Sequence, residues 1–225
     1  MLDTITPDYT TLQQVIEIVG TFAFAISGIR MAAAKHFDWF GGYCCGFAVA
    51  IGGGTIRDLA LQTTPFWMTN PLYVVCTAIA LLIVILFEEH VNRIYNMFLH
   101  IFDTLGLALF TIAGIQKSLL FGQPYWVAII MGCITGAAGG IIRDVLLNEV
   151  PLIFRKEIYA MASVCGGLVY FLLDLCDVEL HIASVITFVV ICAIRLVAVQ
   201  YHLSLPVLRP KASKNTSHEA ENEEK

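Results

Sequence analysis

Two short segments hold the residues best suited to chemistry. They are Ala50-Ile-Gly-Gly-Gly-Thr-Ile-Arg-Asp58 and Gly136-Ala-Ala-Gly-Gly-Ile-Ile-Arg-Asp144. In the first, Gly52, Gly53 and Gly54 precede Arg57 and Asp58; in the second, Gly139 and Gly140 precede Arg143 and Asp144. A guanidinium is a permanent cation whose planar fork of donors matches a carboxylate. It can hold an anionic ligand, or it can pair with its neighbouring Asp and lock the fold. Glycine costs a helix interior about 1 kcal/mol relative to Ala. The run Gly52–Gly54 therefore predicts a bend or break, and Gly139-Gly140 a weaker one. The same glycines would equally permit close helix packing.

The remaining polar candidates are fewer. Glu17 and Asp103 read either as interfacial anchors or as the entrances of a path. Arg195 reads as a snorkelling side chain, and Tyr73 and Tyr159 as interfacial aromatics. His36, His90, His100 and His181 show no metal-ligand spacing, so no metal or cofactor is expected. The seven cysteines form no C-x-x-C pair and read as small packing residues. G-x-S-x-G, H-E-x-x-H and P-loop patterns are missing, so an enzyme is not expected.

The elements that position these residues are membrane helices. The chain is 58% hydrophobic and 14% charged over 225 residues, with mean hydropathy +0.77. A basic nucleic-acid footprint is absent. Asp3 and Asp8 stand where a signal peptide would be basic, so the first apolar stretch is expected to stay as an anchor. A span needs roughly 20 apolar residues. Seven stretches qualify, near 12–31, 39–62, 72–88, 97–119, 125–148, 157–174 and 182–201. The tail over 205–225 reads as disordered. With seven alternating spans, Arg30, Lys35, Arg93, Arg155, Lys156, Arg209, Lys211, Lys214 and Lys225 fall on one side, and Lys117 alone on the other. This bias predicts an outside N-terminus and a cytoplasmic C-terminus.

Sliding the chain by 86 residues matches it to itself without a gap. Gly20, Phe24, Gly28 and Gly46 fall on Gly106, Phe110, Gly114 and Gly132. The Gly-Gly-x-Ile-Arg-Asp elements coincide, as do Pro65 with Pro151 and Tyr73 with Tyr159, and Glu17 falls on Asp103. Each repeat, 12–88 and 97–174, holds three spans. An odd number inverts the second copy, an architecture shared by many transporters. The fold class expected is thus all-α: two inverted three-helix repeats, a seventh helix over 182–201, and an outer segment over 1–11.

With these residues in view, the chain resembles the bacterial membrane proteins built from two glycine-transporter-type domains. Those are similar in turn to the prokaryotic trimeric intracellular cation channels. The resemblance covers roughly residues 10–200. It implies a homotrimer in the inner membrane with a pore in each protomer, lined by the second and fifth helices at their glycines. It implies passage of a monovalent cation, potassium foremost, through a pore bordered by Gly52, Gly53, Gly54, Arg57, Asp58, Gly139, Gly140, Arg143 and Asp144. One departure is Ala138, which stands where the first repeat has Gly52. Part of the family is labelled as glycine carriers, so a small-amino-acid carrier is the alternative and a membrane scaffold the third. The expected partners are the lipid bilayer, the permeant ion or small amino acid, and copies of the chain itself, with no nucleic acid.

Overall fold

The computed structural model describes residues 7–87, 95–154, 158–201 and 203. Seven principal helices are labelled here. They are α1 (Pro7–Ala34), α2 (Trp39–Ala60), α3 (Leu72–Leu86), α4 (Tyr95–Leu120), α5 (Tyr125–Leu146), α6 (Ala160–Leu175) and α7 (Leu180–Gln200). A four-residue helix, Phe66–Thr69, precedes α3, and a 3-10 turn, Leu152–Phe154, precedes α6. Strands are absent among the described residues.

Five segments are long and apolar enough to span a bilayer: Thr11–Ala34, Trp39–Ala60, Leu99–Leu120, Tyr125–Leu146 and Leu180–Gln200. Among the described residues, the other two of the seven expected stretches fall on shorter apolar helices. Helices α3 and α6 hold only 15 and 16 residues. At 1.5 Å per residue they reach about 22–24 Å, short of the ~30 Å hydrocarbon core. Pro71 stands at the N-cap of α3, and the short turns at Phe66–Thr69 and Leu152–Phe154 precede the stretches expected over 72–88 and 157–174. The expected tail over 205–225 and the charged positions Asp3, His90, Arg93, Arg155 and Lys156 lie outside the described residues.

The repeat is visible in the packing as reciprocal contacts. The side chains of Phe24 and Phe110, matched at the 86-residue offset, stack on each other at 5.6 Å. Gly20 of α1 abuts Phe110 of α4, and Gly106 of α4 abuts Phe24 of α1. Gln13 of α1 donates to the Ala113 carbonyl of α4. Contacts that rise along one helix while falling along the other mean that α1 and α4 are antiparallel. Residue i touches j and the copy of j touches the copy of i, which is the signature of an internal two-fold axis. Within each half the first two helices cross at a glycine pair. A Cβ on Gly28 would lie 3.0 Å from the Gly46 Cα, and one on Gly114 would lie 2.7 Å from the Gly132 Cα. Helices α1 and α4 form the enclosed centre, while α7 packs against α4 and α6 and keeps much of its surface outward.

Candidate functional site: two matched charge clusters

The first cluster is built on α1 and α2. Arg57 is fully buried, and its Nη2 donates to Glu17 Oε1 at 2.8 Å while Nε donates to Asp58 Oδ1 at 2.7 Å. Asp58 Oδ2 accepts the Phe66 backbone N–H at 2.8 Å, which pins the short helix after α2. Tyr73 Oη donates to Glu17 Oε2 at 3.1 Å, and Gln13 Nε2 donates to Glu17 Oε1 at 3.1 Å. Lys117 reaches across from α4 and pairs with Asp58 Oδ1 at 2.8 Å.

The second cluster repeats this plan on α4 and α5. Arg143 pairs with Asp103 through Nη1 and with Asp144 Oδ1 through Nε and Nη2, both at 2.9 Å. Asp144 Oδ2 accepts the Leu152 N–H at 3.0 Å, and Tyr159 Oη donates to Asp103 at 3.5 Å. Arg143 Nη1 also donates to Ser27 of α1 at 2.6 Å, which ties the halves together. Behind Tyr159 stands Arg195 of α7, its guanidinium 4.7 Å from the ring centroid and its Nη1 donating to the Ile158 carbonyl.

Several expectations are corrected by this geometry. Glu17 and Asp103 are not interfacial anchors; both are at least 96% buried and serve the arginines. Tyr73 and Tyr159 are buried hydrogen-bond donors rather than interfacial aromatics. Arg195 does not snorkel, because it has no exposed surface. Unpaired, such charges would cost several kcal/mol each in a dry interior, which explains why every guanidinium here has an acidic or π partner. The sequence reading missed Lys117, Ser27 and Phe66 as members. The signal that could have found Glu17, Asp103 and the tyrosines was their coincidence at the 86-residue offset, inside otherwise apolar spans.

The glycines act between the clusters. Both α2 and α5 run uninterrupted through them, so neither helix is broken at its glycines. What the missing side chains provide is proximity. A Cβ on Gly53 would overlap the Thr135 carbonyl oxygen, and one on Gly139 would lie 2.8 Å from that of Val49. Val49 and Thr135 are themselves repeat partners, so this crossing obeys the same two-fold axis. Gly52 receives the Ile142 side chain. The matching contact is not repeated, since Ile56 is 42% exposed, and Ala138 therefore takes the place of a glycine without a clash.

Fold and site together define an all-helical membrane protein of two matched units, joined head to tail and charged at equivalent buried points. Comparison with known proteins gives the family. The model described as "Glycine transporter" matches twice, over residues 14–89 and 100–174, and the chain belongs to that family. It is 41% identical over 196 residues to the UPF0126 inner membrane protein YadS of Escherichia coli K12, covering 85% of this chain and 93% of that one. A UPF0126 membrane protein of Vibrio cholerae is 40% identical over 200 residues, covering 88% and 83%. Among solved structures, the trimeric intracellular cation channel orthologue from Rhodobacter sphaeroides superposes with TM-score 0.80 at 32% identity, over 86% of this chain and all of that one. A prokaryotic channel of the same class, crystallised in 0.5 M KCl, gives 0.81 at 27%, over 87% and 100%. Channels and membrane proteins, rather than enzymes, are thus what the chain is similar to.

Proposed function

We propose that this chain is a potassium-permeable cation channel, a homotrimer in the inner membrane with one pore per protomer. The pore runs between α2 and α5, past Gly52, Gly53, Gly54, Arg57 and Asp58 on one side and Gly139, Gly140, Arg143 and Asp144 on the other. Glu17 and Asp103 stand at its two entrances, in units 12–88 and 97–174 that are inverted in the bilayer, with the N-terminus outside. The observation that carries this reading is the pairing of both arginines. Each guanidinium already holds two carboxylates of its own half. An arriving anion meets a neutralised cation, and an arriving cation is not repelled.

In the present state the crossing of Gly53 with Thr135 and of Gly139 with Val49 closes the route. Opening requires α2 and α5 to part, which would turn the Val49 and Thr135 carbonyls toward the ion. Rings of such dipoles can replace an ion's hydration shell. The relatives crystallised as cation channels support this reading, as does the apolar outer surface of the bundle.

A carrier for glycine is the second reading, and one atom favours it. Arg57 Nη1 is buried without a hydrogen-bond partner and has room in its donor set for a substrate carboxylate. The experiment that separates the two is a reversal-potential measurement on purified protein in a planar bilayer under a KCl gradient, with glycine added afterwards. Discrete steps reversing near the potassium equilibrium potential are expected. A silent bilayer together with glycine uptake into liposomes overturns the channel.

A further inference from the structure

A cavity of about 310 Å³ opens at the far end of the first half, between the end of α1, the start of α2 and the end of α3. Its lining residues, Arg30, His36, Asp38, Gly42, Leu81 and Val84 among them, belong to neither charge cluster. Arg30 is 96% buried, whereas Asp38 and His36 are exposed at the rim. Such a space sets apolar walls against a few polar groups, and its volume is near the lower bound of small-molecule pockets.

Two further observations say that the space is built. The first is Gly42. At every other described helical glycine an added Cβ would find an atom at 3.1 Å or closer, but at Gly42 the nearest is 3.9 Å away. No close approach of a neighbour requires glycine there, although glycine weakens a helix. What it does is keep one wall of the cavity flat. The second is the other half. At the 86-residue offset Gly42 becomes Ala128, Val84 becomes Tyr170 and Arg30 becomes Gln116, all buried, with Gln116 bonded to Ser184 of α7 at 2.8 Å. The second half places bulk where the first keeps an open space with a buried cation.

We propose that this cavity seats the head group of an aminophospholipid, with the phosphate on Arg30 and the ammonium on Asp38. The source is the bilayer because of the rim. Phe37, Trp39 and Phe40 are 44%, 73% and 76% exposed at the turn joining two spans, where aromatic side chains mark the head-group level. Leu81 and Val84 offer an apolar wall for the glycerol and first acyl carbons. Asp38 caps α2 through the Gly41 N–H, and that bond uses Oδ1, so Oδ2 is left for the ammonium. The exposed His36 adds a second N–H donor for phosphate. The inference is independent of whether the pore conducts.

The test is native mass spectrometry, with thermal melting, of the purified full chain titrated with phosphatidylethanolamine or phosphatidylcholine of the same acyl chains. One phosphatidylethanolamine per protomer is expected, with a rise in Tm that phosphatidylcholine does not match. Gly42→Leu, which fills the cavity, is expected to abolish both effects while the lipid-free melt stays or rises. Arg30→Gln is expected to weaken binding about tenfold or more, as for one charge-assisted hydrogen bond. Asp38→Asn is expected to erase the preference between the two lipids. Should Gly42→Leu fail to fold, Val84→Tyr installs the residue that the other half carries. A filled variant that folds and still binds overturns the proposal. So do equal binding of the two lipids by the unaltered chain and displacement of the lipid by millimolar inorganic phosphate.

Discussion

The two halves share a charge plan up to its last cation. In the first, Lys117 crosses from α4 to reach Asp58. Its repeat counterpart is Met31, so among the described residues Asp144 receives no equivalent lysine, and a further cation, Arg195, is held behind Tyr159 on a helix outside the repeat. Each half thus draws its balancing charge from outside itself, but by a direct ion pair in one case and across a ring in the other. The duplicated parts fix an Arg between two carboxylates. The non-duplicated parts decide how firmly that arrangement is held, and there the halves are free to differ.

Removing the arginines tests this most severely. Arg57→Ala leaves Glu17 with only its neutral donors, Gln13 and Tyr73, but Asp58 still paired with Lys117. Arg143→Ala leaves Asp103 and Asp144 together with no direct cation among the described residues. Breaking a buried pair costs about 3–5 kcal/mol, and the larger loss is expected for Arg143→Ala, read as the drop in melting temperature of detergent-solubilised protein. An equal or reversed ranking breaks the comparison. Both variants are also expected to lose conductance, and normal conductance with only reduced expression would make the arginines purely structural.

The glycine crossing comes next. Gly53→Ala and Gly139→Ala each force a methyl against a carbonyl, at a cost of about 1–3 kcal/mol for overpacking. Gly53→Ala is expected to be the worse, since its Cβ overlaps Thr135 whereas that of Gly139 stops 2.8 Å short of Val49. The same melts decide it.

Lys117→Met, which copies the other half's residue, is expected to cost about 1–2 kcal/mol, because Asp58 keeps Arg57 and the Phe66 N–H. If Lys117→Met costs nothing, the direct pair is no firmer than the arrangement around Arg195. The smallest effect is expected at Lys35–Glu149, the exposed pair that joins the halves at 2.6 Å. Lys35→Ala should cost less than about 1 kcal/mol and fade further in salt.

Much of this was legible beforehand. The offset of 86 residues survives in three dimensions down to single hydrogen bonds, as Asp58 with Phe66 and Asp144 with Leu152 illustrate. Apolar run length located the principal helices within a few residues, α3 and α6 included. What could not be read was which polar groups meet. Glu17 and Arg57 are 40 residues apart, and no local pattern says that their helices bring them face to face. Arg195 looked like a snorkeller because it lies near a span end, and only the packing of α7 over Tyr159 encloses it. The glycines were ambiguous for a similar reason. Composition cannot distinguish a helix that breaks from one that another helix must touch.

The Lys117–Asp58 pair also sets an order of events during synthesis. Asp58, Glu17 and Arg57 are made and inserted before the lysine exists, so the nascent first cluster carries one more acid than base until α4 emerges. A ribosome paused before residue 117 would present a membrane intermediate that must borrow a proton, a water molecule or a chaperone contact to stay in the bilayer. The second half never faces that interval with its own lysine. Among the described residues the next cation behind its cluster, Arg195, comes only with α7, the last helix to arrive.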